Sequence, residues 1–172
     1  MPEGNIQSPR QVLENFTERI QVALQQSLER HNKVSGGGLY QSIKVHTKVY
    51  GQKVVLEVIM ADYWKFVDKG VSGTITKFNT PFTFKKKNIN QSALFKHIAN
   101  RGIKITPKKG LAFEKQRKTV AFLMGRKIAK FGLKPTHFAS DVMDKNSKII
   151  KDLEAELYES VGRQIKITIE QP

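Results

Sequence analysis

An apolar stripe near the amino end of the chain constrains the fold more than any other feature. Large apolar residues recur at steps of three and four from Leu13 to Leu28, as they do along one face of an α-helix. Ser8 and Pro9 precede the stripe, and these residue types favour the cap and the first position of a helix. The sequence therefore predicts an amphipathic helix from Pro9 to roughly Asn32, which must bury one face against a sheet or a neighbouring subunit.

Two segments after the glycines at 36–38 have the pattern of a β-hairpin. Residues from Ile43 to Val49 alternate between apolar and polar side chains, which is typical of a half-buried strand. Residues from Lys53 to Met60 are apolar on nearly both faces, which favours a central strand. A last alternating run, from Ile165 to Ile169, is predicted to join the hairpin as a further strand.

Helical patterns fill much of the remaining chain. The sequence predicts a short helix over Gln91–Asn100, a strong helix over Leu111–Phe131 that ends before Gly132, and an acidic helix from Ser140 to about Gly162. We therefore predict an α+β fold, in which a small antiparallel sheet of three to four strands is packed by a long N-terminal helix and a C-terminal helix, with a basic helical insertion. Residues 1–172 are predicted to form a single domain, and residues 71–111 are the basic loop or arm and short helix inserted within it.

Positive charge is concentrated in one part of the chain. Thirty Lys and Arg stand against fifteen Asp and Glu, for a net charge of +15. Residues 85–134 hold fifteen of these cations and only one acid, Glu114, so this segment carries +14 and the rest of the chain +1. A surface that serves solubility alone usually mixes both signs. The concentration therefore favours a polyanionic partner, of which nucleic acid is the commonest.

An aromatic stretch separates the predicted hairpin from the basic segment. Tyr63–Val67 contains four large apolar side chains in five positions, which is more than a solvated loop tolerates. Asp62 suits a helix start and Gly70 a helix end, so the sequence predicts about two helical turns over Asp62–Lys69. We expect this short helix to connect the end of the sheet to the start of the basic segment.

Residues 71–90 have no sustained period and are predicted to form a loop or an extended arm. Phe78, Phe82 and Phe84 lie in this segment beside a run of lysines. These rings could stack on nucleic-acid bases. Phenylalanines at such spacing more often anchor a segment against a protein partner. We therefore expect the segment to pack against a protein partner.

No catalytic or metal-binding set of residues assembles in the sequence. The four histidines are far apart, and cysteine is absent, which excludes disulfides and thiolate metal sites. A metal-dependent nuclease needs several carboxylates among its basic residues, and the basic segment offers only Glu114. We expect no catalytic residues, no cofactor and no metal, and a nuclease subunit is the weakest of the functions considered.

The sequence also lacks the patterns of a membrane or secreted protein. No apolar run approaches the roughly 20 residues that span a bilayer. The amino end has no basic region followed by an apolar one, so no secretory signal is expected. The absence of cysteine suits a protein made in a reducing cytoplasm.

Short motifs along the chain carry a resemblance to a known family. The first combines Tyr63, Val67, Asp68, Gly70, Gly73 and Thr74. Later elements are Pro81-Phe82 followed by basic residues, and the segment from Gly132 to Phe138 that leads into the last helix. In their order, and with the helix and hairpin before them, these elements resemble the tail-completion proteins (neck, or head–tail connector, proteins) of tailed bacteriophages. Asp68 stands where that family more often has Glu, and the basic insertion departs from the compact family pattern.

The resemblance implies a structural virion protein without catalysis or cofactor. It implies a homo-oligomeric ring, sixfold or twelvefold, that joins the portal or its adaptor to the tail around the DNA channel. The expected partners are portal, adaptor and tail proteins, with non-specific contact to packaged DNA and no membrane. The expected location is the neck or tail region of the virion, after assembly in the bacterial host cytoplasm. The alternative, from charge alone, is a standalone non-specific nucleic-acid-binding protein.

Three sets of candidate site residues follow from these patterns. The aromatic residues expected at a subunit interface are Tyr63, Trp64, Phe66, Phe78, Phe82, Phe84 and Phe138. The motif residues expected to shape the turn are Asp68, Gly70, Gly73 and Thr74. The cations expected to face DNA or another polyanion are Lys85, Lys86, Lys87, Arg101, Lys108, Lys109, Lys115, Arg117, Lys118, Arg126 and Lys127.

Overall fold

The computed structural model describes residues 8–34, 36–50, 53–84, 89–106, 112–161 and 168–169. It has an α+β fold, as the sequence predicts. The chain divides into two compact units. The first unit takes its described residues from 1–31, 39–61 and 138–172, and the second takes them from 32–38 and 62–137. That residues 1–172 form one domain stays a prediction.

The first unit is built on a long amphipathic helix, α1, over Pro9–Arg30. The Ser8 side chain accepts from the Gln11 backbone and the Gln11 side chain accepts from the Ser8 backbone, which is a capping box. The helix buries its apolar stripe, whose large members are Leu13, Phe16, Ile20, Leu24 and Leu28. The predicted helix is thus confirmed.

A short helix, α2 over Gly38–Ser42, precedes the sheet, and the sequence pattern did not predict it. Strands β1 (Lys44–Tyr50) and β2 (Lys53–Ile59) pair antiparallel, with Lys44 opposite Ile59. Helix α1 packs on β1, where the hydroxyl oxygens of Thr17 and Thr47 are 2.6 Å apart. The predicted hairpin is therefore present, and one face of it lies on the N-terminal helix.

The prediction of three to four antiparallel strands is wrong for the described sheet. Its antiparallel part has two strands, and the third strand, β3, runs parallel to β2 over Thr168–Ile169. The order is β1, β2, β3. A helix precedes β3, and a helical connection allows a strand to enter a sheet parallel to its neighbour.

The second unit contains three helices in its described residues. The first, α3, covers Trp64–Asp68. The prediction that Asp62 caps it is wrong, because Tyr63 occupies the cap position and makes no side-chain capping bond. Helix α4 covers Gln91–Asn100, as predicted, and helix α5 covers Phe113–Phe131.

Helices α4 and α5 pack against each other through small residues of α5. Ala121 and Gly125 are buried on α5, and Ile98 is buried on α4. A β-carbon added at Gly125 would lie 3.3 Å from Cδ1 of Leu94. The missing side chain therefore lets the two helices approach closely.

The last helix, α6, returns the chain to the first unit over Lys148–Val161. It begins later than the predicted start at Ser140. The Asp144 side chain accepts from the backbone N–H of Asn146 at 2.6 Å, and such local bonds compete with a helix. Arg19 of α1 holds α6 through Glu156, at 2.6 Å. Among the described residues, every helix is too short or too polar to span a bilayer.

Candidate functional site

Two of the segments that the sequence singles out meet in the second unit. We call their contact, between residues 68–84 and residues 129–137, the glycine junction. The backbone N–H of Val71 donates to the Leu133 carbonyl at 2.9 Å, and the N–H of Leu133 donates to the Val71 carbonyl at 2.8 Å. This pair is an isolated antiparallel bridge. The junction therefore joins the loop after α3 to the chain that leaves α5.

The junction also satisfies the carboxyl end of α5. The N–H of Thr74 donates to the Ala129 carbonyl at 3.0 Å, and the N–H of Ile75 donates to the Lys130 carbonyl at 2.8 Å. The last carbonyls of a helix have no partner within the helix. The loop supplies partners here, so it fixes its own position relative to α5.

Beyond the end of α5, the chain is hydrogen-bonded to the carboxyl end of α3. The Asp68 carbonyl accepts from the N–H groups of Thr136 and His137, at 3.0 and 2.9 Å. The Thr136 hydroxyl donates to the Val67 carbonyl at 2.8 Å. Asp68 itself is fully buried. These bonds give the predicted motif residues a structural role.

Glycines make this close approach possible. A β-carbon on Gly70 would lie 2.6 Å from both the Leu133 oxygen and the Pro135 nitrogen. Gly70 and Gly132 also have positive φ angles of 71° and 73°, a region that favours glycine. The close contact between the two backbones therefore explains why glycine occupies these positions.

The loop of the junction folds back on itself up to Phe84. The N–H of Ser72 donates to the Phe82 carbonyl at 2.8 Å, and the N–H of Phe84 donates to the Ser72 carbonyl at 3.0 Å. The Ser72 hydroxyl donates to the Phe78 carbonyl and accepts from its N–H, at 3.2 and 3.0 Å. Residues 71–84 therefore form a loop on their own chain, and the alternative of an extended arm is wrong for them.

Three aromatic side chains next to the junction form what we call the aromatic patch: Tyr63, Phe66 and Phe82. The Phe66 and Phe82 rings meet edge to face, with centroids 4.6 Å apart. Tyr63 is 47% exposed and Phe66 is 43% exposed. These predicted interface residues are therefore accessible to a partner.

Two other predicted interface residues are not accessible. Trp64 is 3% exposed and Phe138 is 0% exposed, so both belong to the core of the chain. The assignment of these two rings to a subunit interface is wrong, because a neighbouring chain cannot reach them. Phe78 and Phe84 are half-buried in the folded loop.

Helix α5 turns most of its positive charge toward solvent. Its exposed cations are Lys115, Lys118, Arg126, Lys127 and Lys130, which we call the cationic face together with the exposed apolar residues Phe122 and Leu123. Lys115, Phe122, Arg126 and Lys130, at steps of seven, four and four, lie along the middle of this face, and Lys118 and Lys127, which are nine residues apart, lie on its two flanks. The side that carries Ala121, Gly125 and Ala129 is buried. The amphipathic pattern of α5 thus sorts charge outward.

The structure sorts the predicted polyanion-facing residues into three groups. Lys115, Lys118, Arg126 and Lys127 lie on the cationic face. Lys85, Lys86, Lys87, Lys108 and Lys109 lie outside the described residues. Arg101 and Arg117 are engaged within the second unit, Arg101 with the Asn32 carbonyl and Arg117 over the Phe95 ring at 4.4 Å. Lys130 was missed, although its position four residues after Arg126 places it on the same face.

Titration and metal chemistry add little to the site. The pKa of His97 is lowered by burial and, after that, by the positive charges of Arg101 and Lys33. In the part of the chain that the structure describes, no group of three or more His, Asp or Glu side chains could hold a metal ion.

No protein-family model matches this chain, and comparisons with curated proteins and with solved structures find no significant match.

Proposed function

We propose that the chain is a structural protein of the neck of a tailed bacteriophage, and that it forms a ring joining the portal or adaptor to the tail around the DNA channel. The glycine junction carries this proposal. Its two segments, residues 68–84 and 129–137, hold nearly all the short motifs by which the sequence resembles tail-completion proteins. Two motifs that are far apart in sequence support a resemblance more strongly when they contact each other in the fold. The two segments do so here, through the backbone hydrogen bonds between Val71 and Leu133.

The aromatic patch supports assembly as the mode of action. Contacting aromatic rings left accessible at a surface are typical of protein interfaces, where Tyr and Phe are enriched. Tyr63 and Phe66 lie on and beside α3, which the glycine junction holds in place. A ring needs a patch of this kind on one subunit and a different complementary surface on the next, since head-to-tail contacts close a ring.

The first experiment is native mass measurement of the purified chain, with electron microscopy of any oligomer. We expect a closed ring with a central opening. The variant pair Tyr63→Ser and Phe66→Ser, made together, removes the exposed rings of the patch and is expected to shift the mass toward the single chain. Tyr158→Ser is the matched control, because Tyr158 is exposed on α6. Its oligomeric state should equal that of the unaltered chain.

Circular dichroism and thermal unfolding show whether the double variant stays folded. A folded double variant that retains its ring would remove the aromatic patch from the interface. An unaltered chain that stays monomeric at every concentration, alone and with portal, adaptor and tail proteins, would overturn the proposed function.

A second candidate function is that of a standalone, non-specific nucleic-acid-binding protein. The observation that favours it is the cationic face, where only Lys118 has a carboxylate neighbour among the described residues. Binding to free DNA by a chain that never forms rings would favour this candidate over the neck protein.

A further inference from the structure

We propose that the cationic face of α5 is a binding site for double-stranded DNA, and that it contacts the phosphate backbone without reading base sequence. The inference holds whether or not the chain forms a ring, because a single α5 carries the whole face. It assigns the contact to one helix and to named side chains rather than to the whole basic segment.

The cations on this face are available to a ligand. Among the described acidic residues, only Glu114 pairs with one of them, at 3.8 Å from Lys118, and both of these side chains are exposed. Exposed ion pairs of this kind contribute little to stability. Lys115, Lys127 and Lys130 have no carboxylate within ion-pair distance in the described chain. A phosphate would therefore not have to displace an internal partner.

The dimensions of the face suit a duplex. Lys115 and Lys130 are fifteen residues apart, which is about 22 Å along a helix that rises 1.5 Å per residue. A DNA duplex presents one negative charge per roughly 1.7 Å of its axis. A rigid helix laid along the backbone would therefore bring Lys115, Arg126 and Lys130 near phosphates at once, with Lys118 and Lys127 on its flanks, at no cost in ordering a flexible segment.

The side chains on the face favour phosphate contact over base readout. Four of the five cations are lysines, which bind phosphate as point charges. The remaining cation, Arg126, has its guanidinium over the Phe122 ring, 5.8 Å from the centroid. Base recognition depends chiefly on bidentate arginine and amide side chains. The face has no exposed amide side chain, and its one arginine is placed over the Phe122 ring, so we expect binding that does not depend on base sequence.

The distribution of apolar side chains favours DNA over a lipid surface. A helix that lies in a membrane interface buries a continuous apolar face in the lipid and keeps its charges on the other side. The continuous small-residue stripe of α5 is buried within the protein, at Ala121, Gly125 and Ala129. Four large apolar residues of α5 are exposed, but Phe113 and Phe131 lie at its opposite ends, and Phe122 and Leu123 lie among the cations. These two side chains can contact sugars between phosphates.

The test measures binding of the full chain to a labelled duplex of arbitrary sequence across a series of salt concentrations. The site variant carries Lys115→Gln, Arg126→Gln and Lys130→Gln. Because each phosphate contact contributes about 0.9 to the slope of log K against log salt, we expect the slope to fall by about three. The control variant carries Lys145→Gln, Lys148→Gln and Lys151→Gln, which removes the same charge from exposed positions just before α6 and in its first turn. Its slope should match the unaltered chain.

A second measurement uses the unaltered chain, so it does not depend on the folding of a variant. Bound duplex should protect Lys115, Lys127 and Lys130 from acetylation, while Lys145, Lys148 and Lys151 stay reactive. Equal slopes for the site and control variants, or equal protection of both lysine sets, would overturn the proposal. So would tighter binding to single strands of the same sequence, or to vesicles of anionic lipid, than to the duplex. The ring proposal is tested separately, by mass.

Discussion

Gly73 and Gly132 lie so close together that neither can carry a side chain. A β-carbon on Gly73 would lie 2.5 Å from the Gly132 nitrogen, and a β-carbon on Gly132 would lie 2.7 Å from the Gly73 nitrogen. Both distances are shorter than any ordinary contact with a β-carbon, and in each case the neighbour is backbone. The glycine junction therefore depends on two glycines that are 59 residues apart in sequence.

Replacing either glycine by alanine should strongly destabilise the second unit. For Gly73→Ala the cause is the steric clash, and for Gly132→Ala a positive φ of 73° adds to it. We expect each substitution to lower the free energy of unfolding by about 3 kcal/mol or more, because a backbone atom cannot move aside as a side chain can. Denaturant unfolding measures the loss.

Gly102→Ala is the matched control for these substitutions. Gly102 also has a positive φ, 57°, but a β-carbon there would meet nothing within 4 Å. Its cost should be only that of the left-handed backbone, about 1 kcal/mol. A Gly73→Ala protein as stable as Gly102→Ala would show that the two backbones do not approach as closely as the structure places them.

The sequence could predict elements that depend on local pattern, but not contacts between distant ones. The stripe of α1 and the bounds of α4 follow from side-chain period and capping residues such as Ser8 and Asn90. The glycine junction was out of reach, because no periodic signal connects Gly73 with Gly132. The glycines themselves were visible as family-like motifs, without any indication that they meet.

The candidate site was predicted in part, for a related physical reason. Side-chain type identified four of the five exposed cations of α5, missing Lys130, and the rings of Tyr63 and Phe66. It could not separate them from Trp64 and Phe138, because large aromatic residues suit both a core and an interface. Burial depends on the packing of the whole chain, which one short motif does not specify.

Gly125→Ala should be neutral or slightly stabilising, in contrast to the junction glycines. The new β-carbon would lie 3.3 Å from Cδ1 of Leu94, which is the end of a flexible side chain. Removing a glycine from a helix interior gains up to about 1 kcal/mol, and a small shift of Leu94 relieves the contact. Gly125→Leu should instead separate α4 from α5 and destabilise the unit by about 2 kcal/mol. Thermal unfolding of both variants checks the contrast, and equal stability would contradict it.

Ser72→Ala should destabilise the folded loop by about 1 to 3 kcal/mol, because it leaves the Phe78 N–H without the hydroxyl oxygen that it bonds at 3.0 Å. Ser72 is buried, so water cannot easily replace the lost partner. Thr119→Ala is the control: its hydroxyl also donates to a carbonyl, that of Lys115, at 3.0 Å, but at an exposed position of α5. A loss for Ser72→Ala no greater than that for Thr119→Ala would argue against the loop as described.

His97 should make the stability of the chain fall as the pH drops below about neutral. Burial, Arg101 and Lys33 lower the pKa of His97 from its ordinary value of 6.5, so the folded chain favours the uncharged imidazole. A group with a lowered folded pKa contributes full stability above its unfolded pKa, and this contribution is lost as the pH falls through the lowered value.

Titration by nuclear magnetic resonance should place the pKa of His97 below 6.5, with Arg101→Gln raising it more than Lys33→Gln does, since Arg101 is the larger of the two electrostatic causes. In His97→Gln, stability should change less with pH between neutral and mildly acidic conditions than in the unaltered chain. A His97 that titrates at or above its ordinary value would contradict both the burial of the ring and the role of the two cations.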